Sequence, residues 1–333
     1  MILSRAGVLL ITVTTTWRLA AAILGALALA AVAGATIAEY KVPTAGAFPH
    51  DPAVDGAGRV YFTEMMADKI GRFDPASATF AEFKVPTAGC GPHGIVVGSD
   101  GIVTFTEIHA NKIARFDPAR EAFHEYPTGN AAEPHTPVLT SDREVYFTAP
   151  GSDAIARLDI ASGAVATYAV PTPDAVPYGI KLGPDRALYF TEFGSNKIGR
   201  FDLASHLIKE FATPTAESAP RRLWFSKNAL YFTEFAAGRL GRLDLSDNTI
   251  KEWLSPGGAG SLPYGIVVDR NGQVWYEESA SGTIVRFDPL HQKFAGTIPL
   301  LSRGAVVRNM DIAPDGRIWM ALSGVDRIGV LSQ

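Results

Sequence analysis

GPHGIVVGSDGIVTFTEIHANKIARFDP, at residues 91–118, is the clearest copy of a unit that repeats along the chain. PYGIKLGPDRALYFTEFGSNKIGRFDL, at residues 177–203, repeats it, and five more copies align with these two. The residue after the proline of each copy, here called the marker residue, recurs at intervals of 42 to 44 residues. The seven marker residues are His50, His93, His135, Tyr178, Arg221, Tyr264 and Arg308, the last in a degenerate copy. A period of this length indicates units that bury their hydrophobic faces against one another.

Each unit has the pattern of four short strands. In the clearest copy, the apolar run at 94–97 and the β-rich run at 102–107 flank a Ser-Asp-Gly turn and form a hairpin. A third strand at 112–116 ends at Asp117-Pro118, and residues 122–126 alternate as a fourth. Four strands per unit are typical of a propeller blade. The sequence therefore predicts an all-β protein, a seven-bladed β-propeller of four-stranded blades.

The two ends of the repeat region complement each other. The last unit stops at Gln333, just after its third strand, and lacks a fourth. IAEYKVP at residues 37–43 matches the fourth-strand segment FAEFKVP at residues 80–86. We therefore expect the N-terminal strand to complete the last blade and close the ring, which removes an exposed edge. A linear solenoid would not need this complementary truncation.

The first segment differs in kind from the repeats. Arg5 and Arg18 precede an apolar run at residues 19–32, and small residues follow it. This outline predicts a signal peptide cleaved near Ala33, or an uncleaved membrane anchor if the upstream apolar residues are included. The predicted domains are thus residues 1–35 as signal peptide or anchor and residues 36–333 as the propeller. The protein is expected to be exported to the periplasm or the outside of the cell.

Composition limits the partners. The 333 residues are 47% apolar and 19% charged, with a net charge of −4 and a single cysteine, Cys90. No basic stripe is available for a phosphate backbone, so nucleic acid is excluded as a partner. An intrachain disulfide needs a second cysteine. We expect a monomer that binds a small molecule or a peptide.

Comparison of the copies separates scaffold from site. The glutamate that closes the Y-F-T-E run recurs at Glu64, Glu107, Glu192 and Glu234, which indicates a structural role first of all. The marker residue varies instead: three histidines in consecutive blades, then Tyr, Arg, Tyr and Arg. The marker and the glutamate 14 positions later are expected to meet across the hairpin and to rim the channel mouth. Imidazoles and carboxylates together suit a divalent metal or acid–base chemistry.

The motifs P-H-G-I, Y-F-T-E, N-K-I-G-R and E-Y/F-x-x-P-T resemble the virginiamycin B lyase (streptogramin lyase) family over nearly the whole mature chain. The resemblance implies a carbon–oxygen lyase that opens the ester of a cyclic depsipeptide by elimination, with Mg²⁺ as cofactor. It implies His135 as the base that takes the proton alpha to the ester carbonyl, and His93 with Glu133 as metal ligands. Where the family has a further glutamate, this chain has Ala149, and Glu107 on the adjacent blade is the candidate replacement. A second registration makes His93 the base.

Three functions remain open from the sequence. The first is the magnesium-dependent lyase. The second is an exported propeller without catalysis that binds a peptide, a glycan or a cell-envelope component at the mouth. Its binding residues would be His50, Tyr178, Arg221, Tyr264 and Arg308, because tyrosine and arginine are typical recognition residues. The third, lactone hydrolysis at a calcium or zinc site, needs a fuller acidic ligand set.

Overall fold

The structure, a computed structural model, describes Val32 and residues 34–333. The predicted signal peptide or anchor lies almost wholly outside the described residues. Within them, a search for a helix of the length and hydropathy that a membrane span requires finds none.

The described residues form seven four-stranded antiparallel sheets arranged in a ring, and the predicted seven-bladed β-propeller is confirmed. Blade 1 contains β2 (Pro49–Val54), β3 (Val60–Glu64), β4 (Lys69–Asp74) and β5 (Thr79–Lys84). Blade 2 contains β6 (Pro92–Val97), β7 (Val103–Glu107), β8 (Lys112–Asp117) and β9 (Ala122–Pro127). Blade 3 contains β10 (Pro137–Ser141), β11 (Glu144–Ala149), β12 (Ala154–Asp159) and β13 (Val165–Ala169), with a 3₁₀ turn at Pro150–Ser152.

Blade 4 contains β14 (Pro177–Leu182), β15 (Ala187–Glu192), β16 (Lys197–Asp202) and β17 (Ile208–Ala212). Blade 5 contains β18 (Pro220–Ser226), β19 (Ala229–Glu234), β20 (Arg239–Asp244) and β21 (Ile250–Leu254). Blade 6 contains β22 (Pro263–Val268), β23 (Val274–Glu278), β24 (Thr283–Asp288) and β25 (Lys293–Pro299). Blade 7 contains β26 (Val306–Ile312), β27 (Ile318–Ser323), β28 (Arg327–Ser332) and β1 (Thr36–Lys41).

The core lies between the blades. The second strands, such as β3 and β7, are rich in β-branched and aromatic residues and are buried along their whole length. The fourth strands, such as β9, alternate between exposed and half-buried side chains. The described residues form seven hydrophobic clusters, and each combines side chains of two neighbouring blades. A blade alone would therefore leave both of its faces exposed, and the ring is the unit that buries them.

The N-terminal strand closes the ring. β1 pairs antiparallel with β28 over its whole length, from Thr36 opposite Ser332 to Lys41 opposite Arg327. The Tyr40 ring lies 4.6 Å from the Phe73 ring of blade 1, centroid to centroid. The last blade is thus made from both ends of the described chain, as the matching segments predict.

A recurring polar contact, here called the interblade latch, explains the E-Y/F-x-x-P-T motif. In one latch, Thr172, which follows blade 3, donates to Glu210 of blade 4 from its backbone N (3.1 Å) and from Oγ1 (2.8 Å). Lys197 Nζ donates to the same carboxylate at 2.7 Å. In the closing latch, Leu301 N and Ser302 N donate to Glu39 Oε1 at 2.9 and 3.1 Å. β1 therefore supplies both the missing strand and the latch of the last blade.

Glu39→Ala is expected to lower the free energy of unfolding by about 1–3 kcal/mol, because the backbone amides of Leu301 and Ser302 lose a charged acceptor. Urea unfolding followed by circular dichroism measures the change. Glu210→Ala, in an internal latch, is the matched comparison, and the exposed Lys41→Ala on the same strand is the control. If Glu39→Ala unfolded like the wild type, the latch would not be what holds β1.

Candidate ligand site at the channel mouth

The threonine of the Y-F-T-E run positions the marker residues. Thr63 Oγ1 donates to the backbone carbonyl of His93 in the next blade at 2.7 Å, and it accepts from Asp51 N at 3.1 Å. Thr106 makes the same contact to the carbonyl of His135 at 2.9 Å. The carbonyls of the five markers from His93 to Tyr264 are therefore held by the preceding blade, and the seven marker side chains lie around the start of the central channel.

Three imidazoles form one side of the mouth. The ring centroids of His50 and His93 are 3.8 Å apart, and those of His93 and His135 are 4.1 Å apart. The Tyr178 ring continues the row at 3.8 Å from His135. All three histidines are buried. The sequence placed them 42 or 43 residues apart, and the ring brings them into direct contact.

Tyrosines and arginines form the other side. The hydroxyls of Tyr178 and Tyr264 are hydrogen-bonded at 2.6 Å. The Arg221 guanidinium lies 4.2 Å from the centroid of the Tyr264 ring and 4.1 Å from that of Phe235. Arg308 lies 5.7 Å from the Tyr264 ring. The binding residues expected from the sequence therefore share one continuous surface.

Three aromatic residues at the mouth were missed by the sequence reasoning. Phe193 and Phe235 pack against Arg221, and Phe48 lies 5.0 Å from the Arg308 guanidinium. A signal was present: Phe193 and Phe235 follow the recurring glutamate directly, at a position that varies between copies. These rings widen the apolar part of the surface available to a ligand.

Arg222 spans the channel directly below the mouth. Its Nη2 donates to Asp51 Oδ1 at 2.9 Å and its Nη1 to Thr136 Oγ1 at 3.1 Å, across the ring from blade 5. Its Nε donates to the backbone carbonyl of Arg308 at 3.1 Å, and Asn309 Nδ2 donates to Asp51 Oδ2 at 3.1 Å. Burial alone would raise the pKa of Asp51, but Arg222 and the His50 ring hold it well below its usual value. We call these four side chains, Asp51, Thr136, Arg222 and Asn309, the plug; all lie one residue after a marker.

The plug orients two of the imidazoles. His50 Nδ1 lies 2.9 Å from Asp51 Oδ1, and a carboxylate only accepts, so Nδ1 carries the proton and Nε2 keeps its lone pair. His135 Nδ1 lies 2.8 Å from Thr136 Oγ1. That oxygen accepts from Arg222 Nη1, and the Thr136 hydroxyl can either accept from His135 Nδ1, which leaves Nε2 unprotonated, or donate to Nδ1.

The imidazoles are neutral at physiological pH. Burial lowers the pKa of His50 to about 4, against the opposing effect of Asp51. Burial, the neighbouring His50 ring and the Arg222 guanidinium lower the pKa of His93 well below its ordinary value. For His135, burial, the His93 ring and Arg222 act in the same direction. A neutral imidazole is the form that can accept a proton from a substrate.

The recurring glutamates do not rim the mouth, contrary to expectation. The strand register places the proline, not the marker, opposite the glutamate, as Pro92 opposite Glu107. Glu107 is fully buried, and neither of its oxygens is hydrogen-bonded among the described residues. Burial and the latch carboxylate Glu125 raise the pKa of Glu107 to about 8. The full burial of Glu107 therefore supports a scaffold role.

Glu234→Gln is expected to gain stability relative to the wild type as the pH rises from 6 to 9. Burial and the Glu252 carboxylate raise the pKa of Glu234 to about 9 from an ordinary value of 4.5, so the folded protein binds more protons than the unfolded chain between these values. Wild-type stability from this group is therefore lost as the pH rises through that window. Between pH 6 and pH 9, the difference in free energy of unfolding between Glu234→Gln and the wild type is expected to change by at least about 1 kcal/mol, as measured by urea unfolding. Glu121→Gln, at an exposed position, is the control. If the free energy of unfolding depended on pH equally in Glu234→Gln and in the wild type, the raised pKa of Glu234 would be contradicted.

The expected metal ligands are not brought together. Glu133 is exposed, and its backbone N–H donates to Asn111 Oδ1 at 2.8 Å. His93 Nδ1 is buried without a partner, and Glu107 lies within its blade. Among the described residues, no three histidine, cysteine, aspartate or glutamate side chains form a group that could hold a metal ion. His93, Glu133 and Glu107 therefore do not form the oxygen-rich donor set that magnesium requires.

The geometry can be compared with known proteins. The model of the virginiamycin B lyase family matches residues 26–161 and 78–333, which together cover the propeller. The chain belongs to the virginiamycin B lyase family. The resemblance carried by the repeat motifs is thus confirmed, and the search of curated proteins by sequence gives no match.

Solved structures of virginiamycin B lyases are similar over the whole propeller. A structure described as a streptogramin B lyase shares 28% identity at a TM-score of 0.82, covering 90% of this chain and 97% of that chain. Virginiamycin B lyase from Staphylococcus aureus shares 27% identity at a TM-score of 0.83, covering 90% of this chain and 99% of its own. A catalytically inactive variant of the latter, determined with quinupristin, gives the same identity and TM-score. The propeller of this virginiamycin B lyase family member therefore spans nearly the whole length of these relatives.

Proposed function

We propose that this protein opens a cyclic ester of the type B streptogramin class by elimination, with His135 as the base. The observation that carries the proposal is the neutral His135 imidazole at the mouth, with its Nδ1 held by Thr136. Membership of the lyase family supports it.

In the proposed reaction, His135 Nε2 takes the proton from the carbon next to the one that carries the ester oxygen. The carbon–oxygen bond breaks, a carbon–carbon double bond forms, and the ester leaves as a carboxylate. No water enters, so the linear product has the mass of the ring. The guanidinium groups of Arg221 and Arg308 lie on the same mouth and would stabilise the new carboxylate.

The ligand would bind on the aromatic part of the mouth. Tyr178, Tyr264 and Phe235 offer rings to apolar and aromatic side chains of a depsipeptide, and His50 lies on the opposite side. Plug residues close the channel below, so a ligand stays at the mouth and is cleaved there. The monomeric state and export from the cell stay predictions.

The test is incubation of the purified protein with quinupristin, once with added magnesium and once with a chelator, followed by mass spectrometry with fragmentation. Elimination gives a linear product of unchanged mass, whereas hydrolysis adds one water. Loss of the product with chelator would establish the magnesium dependence that the family resemblance predicts. An intact ring under both conditions would contradict the lyase proposal for this substrate.

Binding without catalysis is the second candidate, and Ala149 favours it. The alanine methyl is buried where the family motif has a carboxylate, and the 3₁₀ turn at Pro150–Ser152 follows it directly. A protein of this kind would bind a peptide, a glycan or a cell-envelope component through Tyr178, Arg221 and Tyr264. Saturable binding of quinupristin without any product, unchanged in His135→Ala, would support this candidate over the lyase.

A further inference from the structure

The channel continues beyond the plug into a second cavity. This far cavity has a volume of about 300 Å³ and is lined by Lys181, Arg222 and Asp311 together with apolar side chains such as Val54, Val97 and Leu182. Lys181 and Asp311 are half-buried, so the far cavity is reached from the end of the channel opposite the mouth. None of the functions considered above uses it.

Comparison of the repeats singles out three residues at this level. Three positions after the marker, four copies have alanine or valine, which is what a scaffold position at a channel wall requires. Blade 4 has Lys181, blade 5 has Trp224 and blade 7 has Asp311 instead. The repeat itself therefore gives no reason for two opposite charges and an indole in this layer.

Lys181 is a cation on which the carboxylates of Asp311 and Asp51 act only through space, without a salt bridge among the described residues. Its Nζ lies 3.6 Å from the centroid of the Trp224 ring. Within the described part of the chain it makes neither a hydrogen bond nor a salt bridge, whereas the latch lysines Lys69 and Lys112 each contact a carboxylate within 2.8 Å. Burial lowers the pKa of Lys181, which an anion bound beside it would reverse.

Asp311 faces the same space from the other side of the ring. Oδ2 accepts from Val54 N at 2.8 Å and Oδ1 accepts from Ile312 N at 2.9 Å, so the carboxylate is fixed in position. Each oxygen retains a lone pair for a further donor. In a ring of seven blades, blade 7 lies nearly opposite blade 4, so the two charges face each other across the channel without forming a salt bridge.

We propose that the far cavity binds a small zwitterion of the α-amino acid class with an apolar side chain. The ligand carboxylate lies at Lys181 and the ligand ammonium at Asp311, so that each buried charge gains a partner. Valine and leucine side chains enclose the apolar part of the ligand. A volume of about 300 Å³ corresponds to about ten waters, which is enough for an amino acid and some bound water.

Isothermal titration calorimetry with L-leucine tests the proposal, with two matched probes that each lack one charge. Isopentylamine lacks the carboxylate and 4-methylpentanoate lacks the ammonium. L-leucine is expected to bind saturably, and each probe at least about tenfold more weakly, because one buried charge then stays unpaired. Equal binding of 4-methylpentanoate and L-leucine would overturn the zwitterion in favour of a simple anion site, and no saturable heat with L-leucine would overturn the site altogether.

Variants locate the ligand. Lys181→Met and Asp311→Asn are each expected to weaken L-leucine binding at least about tenfold. Lys251→Met is the matched control, since Lys251 also lies over a tryptophan ring, 5.2 Å from the Trp253 centroid, but on an exposed outer strand. His135→Ala is expected to bind L-leucine like the wild type, which separates this cavity from the mouth. Unchanged affinity in a folded Lys181→Met, with its fold checked by thermal melting, would overturn the assignment.

Discussion

His135→Ala is expected to lower the rate of quinupristin opening by about 10²- to 10⁴-fold, which is the usual contribution of a general base. The variant removes the only group assigned to accept the proton and leaves the mouth otherwise formed. Tyr178 packs on this ring at 3.8 Å, whereas Tyr264 and Arg308 contact other aromatic rings, so the affinity for the intact ring compound is expected to change far less than the rate. Mass spectrometry gives the rate, and calorimetry gives the affinity.

The pH profile provides a second readout for His135. Because its pKa is lowered well below 6.5, the base form persists into mildly acid solution, and the acid limb of kcat/KM is expected below pH 6.5. The exposed His124→Ala on an outer strand is the control for a histidine removed elsewhere. A His135→Ala protein that retained full activity would transfer the role of base to another imidazole of the row.

Ala149 allows a test by gain of lyase activity instead of by loss. Ala149→Glu introduces the carboxylate that the family resemblance implies at this position. Glutamate is tolerated at the equivalent buried positions Glu107 and Glu192 of neighbouring blades, so the variant is expected to fold. A rise in lyase rate, lost again in the double variant with His135→Ala, would show that the two residues belong to one site.

Arg222→Met is expected to lower the free energy of unfolding by about 3–5 kcal/mol, the usual effect of removing one partner of a buried ion pair. Asp51 is almost fully buried and would keep only His50 and Asn309 as partners. The carboxylate would then raise the pKa of His50, because the Arg222 charge that opposes protonation is gone. Urea unfolding measures the first effect, and NMR titration of the His50 ring measures the second.

Arg221→Met is the matched control, since Arg221 is the neighbouring arginine and contacts rings rather than a carboxylate. Its loss is expected to cost no more than about 1–2 kcal/mol. Adding Asp51→Asn to Arg222→Met is expected to recover part of the lost stability, because the unpaired charge disappears. Equal stability of the Arg221 and Arg222 variants would show that the plug is not a structural ion pair.

Features that are encoded within one repeat could be predicted from the sequence, whereas contacts between distant repeats could not. The blades, their four strands and the closing strand were predicted correctly, because each copy carries its own turns, its own β-rich runs and its own interface residues. The marker row was also predicted, since one period of the repeat is one blade. By contrast, the expected pairing of Glu107 with His93 differs from the structure: Glu107 lies opposite Pro92, and its carboxyl group is fully buried.

By itself, the sequence determined the seven-bladed architecture, because the same local pattern recurs seven times and its two ends match. It also singled out the mouth, because the marker position changes its chemistry from copy to copy. Tertiary structure alone decided what those side chains contact. Arg222 and Asp51 are 171 residues apart and lie on different blades, yet they pair at 2.9 Å across the channel. A contact across the ring depends on closure of the whole propeller, and no spacing along one blade encodes it.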